Sequence, residues 1–178
     1  MIRILFVCWG NICRSPMAEF VLKDMVDKMH LKELFHIESR ATHTDEIWNG
    51  EGNPVYPPAR KKLEEHGISC DGKRAQLLVR SDYDKYDYLI GMDDLNLKWM
   101  CRILGKDVPD RRFLMNPDRG DAYIKGMAQS KITLLMDYTD HPGSVADPWY
   151  TRDFDSTYRD VTEGCAGFIK YLKMTGRI

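Results

Sequence analysis

The chain has 178 residues, 43 % of them hydrophobic and 30 % charged, with a formal net charge of −1. That length suits one compact domain with a real core, and the near-zero charge argues against nucleic acid or an anionic membrane surface as a partner. No stretch approaches the roughly 20 apolar residues of a membrane span, and the five cysteines, at 8, 13, 70, 101 and 165, are too scattered for a secreted disulfide framework. The opening Met1–Val7 run is short for a secretory signal, and polar Asn11 and Arg14 stand where a small-residue cleavage site would fall. A soluble cytoplasmic protein is therefore expected.

In chain order, residues 2–7 are an unbroken apolar and β-branched run, the pattern of a strand buried on both faces. Gly10 and Asn11 break it, and Ser15-Pro16 reads as a helix start with serine as cap and proline at the first helical position. Met17, Val21 and Met25, with Ala18, Leu22, Val26 and Met29, then repeat at helical spacing. Phe35 to Ala41 is a candidate second strand. Pro57-Pro58 opens a further helix carrying Ala59, Leu63 and His66, with Gly67 placed to stop it. Tyr88 to Ile90 predicts a third strand, followed by a helix with Leu95, Trp99 and Ile103 on one stripe, and Ile132 to Met136 predicts a fourth. Phe154, Tyr158, Val161, Cys165, Phe168 and Leu172 form the apolar face of a last helix. Strands alternating with helices imply an α/β fold: a single domain, residues 1–178, built on a doubly wound sheet of about four parallel strands with helices on both faces. Residues 105–131 are the least patterned and are expected to be an exposed excursion.

The chemistry concentrates in Cys8-Trp9-Gly10-Asn11-Ile12-Cys13-Arg14-Ser15-Pro16, between the first strand and the first helix. Open α/β sheets bind ligands at such positions. A tight loop there aims backbone N–H groups and the positive end of a helix at one point, forming an anion cradle. Gly10 can adopt backbone angles other residues resist, and Asn11 can brace the loop with side-chain hydrogen bonds. The same field favours a cysteine thiolate, so Cys8 is expected to be ionised and nucleophilic. Arg14, with five residues between it and Cys8, can offer a two-pronged donor to a phosphoryl group. Taken singly, Cys8 reads as a small hydrophobe at a strand end, Arg14 as a surface cation and Asp147-Pro148 as a turn. Their combination is what points to catalysis. A poor leaving group needs a proton, and a tuned carboxyl such as that of Asp147 can supply and recover it.

With Val7–Pro16 at one end and Ala146-Asp147-Pro148-Trp149-Tyr150 at the other, the chain resembles the low-molecular-weight protein tyrosine phosphatases. Ile37–Thr42 and Tyr88–Asp93 are similar to family segments and keep the expected order. The resemblance implies attack on phosphorus by Cys8 to form a phosphocysteine. It implies stabilisation of the equatorial oxygens by Arg14 and the amides of the phosphate-binding loop (Trp9, Gly10, Asn11, Ile12, Cys13), support of the thiolate by Ser15, and protonation of the leaving phenol by Asp147. Trp48, Trp149 and Tyr150 are expected to line a cleft that admits a flat phosphotyrosine ring, in a protein or a small aryl phosphate, and excludes the shorter phosphoserine. No metal or cofactor is implied, and the chain is expected as a monomer or weak dimer. Cys13 reads either as a packed loop residue or as a redox partner of Cys8, and His66 as a surface or cap residue. Arg40 stands where the family usually has a small residue, and Trp48-Asn49-Gly50-Glu51-Gly52 makes a longer cleft loop than in mammalian members; both bear on substrate preference.

Two rivals share features with this reading. Arsenate reductase on the same scaffold relays a disulfide through a closely spaced distal cysteine pair, whereas Cys70 and Cys101 are 31 positions apart. A cysteine phosphocarrier subunit of a sugar-uptake system has no requirement for both Arg14 and Asp147.

Overall fold

The computed structural model describes residues 1–115 and 120–178. β1 (Ile2–Cys8) is buried throughout except at Arg3, whose amide donates to the Asp87 carboxylate just before the third strand of the sheet. Alternation along this one strand builds both halves of the core, since successive side chains point to opposite faces. Ile2, Ile4, Phe6 and Cys8 enter one cluster, and Leu5 and Val7 enter the other.

α1 (Arg14–Lys28) follows β1 and lays Met17, Ala18, Val21, Leu22 and Val26 on the first face. β2 (Phe35–Ala41) returns parallel to β1, in the register Ile2 to Phe35 through Cys8 to Ala41. A short hairpin, β3 (Ile47–Trp48) and β4 (Glu51–Gly52), turns through Asn49 and Gly50, both at positive φ. α2 (Pro57–Glu65) starts on its two prolines, and Gly67 at φ 73° ends that turn, as the sequence implied. After α3 (Asp82–Lys85), β5 (Tyr88–Gly91) pairs parallel with β1, and α4 (Asp94–Leu104) crosses the second face. α5 (Asp121–Met127) and β6 (Ile132–Leu134) follow, then α6 (Pro148–Thr151) and α7 (Phe154–Met174), which packs Val161, Cys165, Phe168 and Leu172 beside α1.

The four long-paired strands run parallel in the order β2-β1-β5-β6. This is the expected doubly wound sheet with helices on both faces. The order reverses at β1, so the crevice beyond its carboxyl end is the topological switch point. Cys8 is the last residue of that strand.

Four sequence expectations change. The first helix begins at Arg14, with Cys13 at the cap position and Ser15 inside the first turn, so Ser15 is not the cap. The buried face of α4 is Leu97, Met100, Cys101 and Leu104; Leu95 is exposed, and Trp99 and Ile103 are half-buried. The fourth strand stops at Leu134, because Leu135–Tyr138 tighten into a 3₁₀ turn. The segment 105–131 is not wholly an exposed excursion: Tyr123 and Met127 join the first core cluster, and Arg111 pairs with Asp137 at 2.5 Å. Residues 116–119 of that segment lie outside the described residues.

Candidate active site

A cleft of about 460 Å³ opens beyond the end of β1 and is lined by Cys8, Trp9, Gly10, Ile12, Cys13 and Arg14 on the loop side. Asp45, Glu46, Asp93, Leu95, Asn96, Asp147, Trp149 and Tyr150 complete its wall. A larger groove of about 810 Å³ runs along the outer edge of β2, but its lining contains no cysteine and none of the loop residues 8–15. Chemistry thus points to the smaller cleft.

The loop is braced from behind. Asn11 sits at φ 57°, the left-handed region that asparagine tolerates better than most residues. Gly10 is not itself in that region; its need is space, because a Cβ there would lie 2.9 Å from Cγ of Glu46. The Asn11 amide donates to Ser15 Oγ (2.9 Å) and Ser39 Oγ (2.8 Å), and its carbonyl accepts the Gln76 amide at 3.0 Å. Ser39 in turn donates to Glu19 (2.5 Å), which is 3 % exposed and also paired with Lys23 (2.5 Å) and Lys73 (2.9 Å). Burial outweighs the Glu19 carboxylate at Lys73 and holds its ammonium below the ordinary lysine value. Ser15 Oγ lies 3.0 Å from Cys8 Sγ, so this buried chain of polar groups ends on the sulfur. Asn11 and Ser15 are therefore supports behind the cleft, and neither lines it.

Arg14 is buried and bridges two carboxylates: Nη1 reaches Asp93 Oδ2 at 2.5 Å and Nη2 reaches Asp147 Oδ2 at 2.7 Å. Burial disfavours its charge, but the neighbouring Cys8, Asp93 and Asp147 outweigh that and hold the guanidinium above its ordinary value. Both carboxylates are fixed by helix starts. Asp93 caps α4 by accepting from the Asn96 amide at 2.7 Å, and Asp147 caps α6 by accepting from the Trp149 amide at 3.0 Å. The cap of α1 is different: no side chain among the described residues caps it, Pro16 has no N–H and the Met17 amide bonds to the Cys13 carbonyl at 3.1 Å, so the Arg14 and Ser15 amides are the ones at its start without an intrahelical partner. Cys13 is pushed well up by burial, with Cys8 and Asp147 acting in the same direction.

The tertiary structure thus brings Cys8, Arg14 and Asp147 to one cleft, with Trp149 (65 % exposed) and Tyr150 (83 % exposed) at its rim. Trp48 is not among the lining residues. The β3–β4 hairpin leaves it 68 % exposed. His66 stacks on Tyr158 with ring centroids 3.9 Å apart, outside the cleft lining. Sequence reading missed Asp93, although a polar residue after β5 at the switch point was a usable signal. It also missed Asp45, whose carboxylate accepts from Trp9 Nε1 at 2.7 Å, and Asn96. Asn96 is 1 % exposed, and both its amide atoms lack a hydrogen-bond partner among the described residues.

Residues 3–116 match the family described as low molecular weight phosphotyrosine protein phosphatase. The chain is 33 % identical over 167 residues to the low molecular weight protein-tyrosine-phosphatase YfkJ of Bacillus subtilis, covering 93 % of this chain and 92 % of that one. The crystal structure of YfkJ superposes with a TM-score of 0.80 at 29 % identity, over 98 % of this chain and 96 % of the other. A low molecular weight protein tyrosine phosphatase from Streptococcus pyogenes, SP-PTP, superposes with a TM-score of 0.72 at 35 % identity, over 97 % and 93 %. With its fold and nearly its whole length shared, the chain belongs to the low-molecular-weight protein-tyrosine-phosphatase family.

Proposed function

We propose that this protein hydrolyses phosphotyrosine in proteins, and small aryl phosphates, through a phosphocysteine intermediate. The observation that carries the reading is the convergence of Cys8, Arg14 and Asp147 on one cleft at the switch point of the sheet. Cys8 Sγ attacks phosphorus while the bond to the aryl oxygen breaks, and Asp147 gives its proton to that oxygen. Water then attacks the phosphocysteine, Asp147 takes back a proton, and the S–P bond breaks to release inorganic phosphate and the thiolate. Arg14 and the uncapped amides at the start of α1 stabilise the equatorial oxygens in both steps. For Arg14 to do so, the phosphoryl group must compete with the carboxylates that hold its two terminal nitrogens in the free site. Ser15, hydrogen-bonded to Cys8, supports the sulfur as nucleophile and as leaving group. The nucleophile lies buried at the floor, and Trp9, Ile12, Leu95, Trp149 and Tyr150 give an apolar wall suited to an aromatic ring.

Against the reductase rival, Cys70 and Cys101 belong to core clusters on opposite faces of the sheet and are poorly placed to relay a disulfide. The five free cysteines suit a reducing compartment, in keeping with action in the cytoplasm. The test is hydrolysis of a phosphotyrosine peptide without added metal, inhibited by orthovanadate, with Cys8→Ser and Arg14→Lys alongside. Cys8→Ser is expected to abolish turnover while inorganic phosphate still binds, and Arg14→Lys to be severely impaired because a point charge cannot replace the two-pronged contact. Retention of most activity in Cys8→Ser would end the proposal.

A further inference from the structure

Trp9 stands out in the cleft because its side chain is held on two sides. Its Nε1–H donates to Asp45 Oδ2 at 2.7 Å, and its ring lies on the His43 imidazole with centroids 3.3 Å apart and planes 6° from parallel. His43 is fixed in turn. Its amide donates to the Trp9 carbonyl at 3.1 Å, its Nδ1 is hydrogen-bonded to Thr42 Oγ1 at 2.8 Å, and the Trp99 ring meets it edge-on at 4.7 Å. Arg102 covers Trp99 at 5.1 Å. The result is a ladder, Trp9–His43–Trp99–Arg102, that runs from the cleft onto α4 and ties the residue after the nucleophile to the opposite face of the sheet. His43 itself does not line the cleft.

We infer that His43 is a positioning residue for aryl selectivity, holding the Trp9 indole as a preformed wall against which the substrate ring packs. This rests on the proposed reading of the cleft as an aryl phosphate site. A tryptophan on a loop has two free side-chain torsions, and ordering them on binding reduces affinity. Here a hydrogen bond at the indole nitrogen and a stacked ring on its face remove that freedom before substrate arrives. Phosphate recognition is served by different groups, Arg14 and the loop amides. Ring recognition and phosphate recognition are thereby separable, and a substitution at His43 acts on the first alone.

The experiment measures dissociation constants of inorganic phosphate and of phenylphosphonate by calorimetry, for the parent, His43→Ala, His43→Gln and His43→Phe, with Trp9→Ala as the limit. Gln removes the stacked ring while keeping a polar group near Thr42, and Phe keeps the ring without the imidazole nitrogens. The expected result is phosphate affinity within twofold of the parent in all three His43 variants. Phenylphosphonate should weaken about three- to tenfold in His43→Ala and His43→Gln, the range of one aromatic pair. His43→Phe should match the parent, and Trp9→Ala should lose at least as much phenylphosphonate preference as His43→Ala. Phosphate binding also reports that each variant is folded, and either Ala or Gln alone suffices if the other is not. A parallel loss of both ligands would show that His43 only supports the loop, and an unchanged ratio would show that Trp9 needs no holding. His43→Phe behaving as His43→Ala would remove the stack as the cause. Each of these overturns the inference. Failure of phosphate to bind the parent would instead refute the proposed function.

Discussion

Replacing Asp147 by asparagine separates its helix-capping contact from its chemistry. Asparagine caps a helix as well as aspartate does, so the bond from the Trp149 amide and the short α6 should survive. What is lost is the transferable proton and the negative charge beside Arg14. Tyrosine's phenolate, with a free pKa of about 10, departs poorly without a proton. General acid catalysis is worth about 10²–10⁴ in rate, or about 3–5 kcal/mol of barrier. The kcat/KM for a phosphotyrosine peptide should fall by that factor. Nitrophenyl phosphate, whose leaving group is stable unprotonated, should lose about tenfold or less. The structure adds a second, opposite effect. The Asp147 carboxylate holds Arg14 Nη2 at 2.7 Å in the free site, and an arriving phosphoryl group has to displace it. A hydrogen bond to a charged group contributes about 1.5–3 kcal/mol, less here because the Asp147 side chain is 28 % exposed. Inorganic phosphate should therefore bind Asp147→Asn more tightly, by up to about tenfold. Steady-state kinetics on the two esters and the phosphate inhibition constant give all three numbers. Equal losses on both esters together with weaker phosphate binding would show that Asp147 positions the loop, and the acid would have to be sought elsewhere.

Further outcomes are expected from the surrounding groups. Mild peroxide should inactivate the enzyme reversibly through a Cys8–Cys13 disulfide, visible by mass spectrometry; Cys13→Ser recovering with thiol as fully as the parent would dismiss the protective linkage. Lys73 is largely buried and has its ammonium held below the ordinary lysine value, so the unfolded chain binds the extra proton in the alkaline window between the two values. Stability from this group should rise with pH across that window, and Lys73→Met should remove the rise from a series of melting curves relative to the parent. Tyr123→Ala should destabilise the fold by about 3 kcal/mol in denaturant titrations, since its ring is buried against Phe113 and Tyr171; a change under about 0.5 kcal/mol would return this part of 105–131 to the status of an exposed excursion.

Local chemistry by itself determined the parts of this protein that depend on near neighbours. The apolar run of β1, the helical periods of α1 and α7 and the proline start of α2 each follow from residues a few positions apart, because strand and helix are short-range patterns. The same holds for the loop from Cys8 to Ser15, whose residue types and spacing between a strand and a helix already imply an anion cradle. Other features were settled only by the tertiary structure. The periodicity of α4 admits more than one stripe, and the position of the sheet selects Leu97, Met100, Cys101 and Leu104 as its buried face. Ser15 could cap a helix locally, but the sulfur 3.0 Å away and the Asn11 amide claim its hydroxyl. Asp93 lies 79 positions from Arg14, and Asp45 lies 36 from Trp9. Trp48, on the β3–β4 hairpin, is placed outside the cleft lining by that turn. In each case the deciding contact joins residues remote in the chain, and no local pattern encodes which remote partner will arrive.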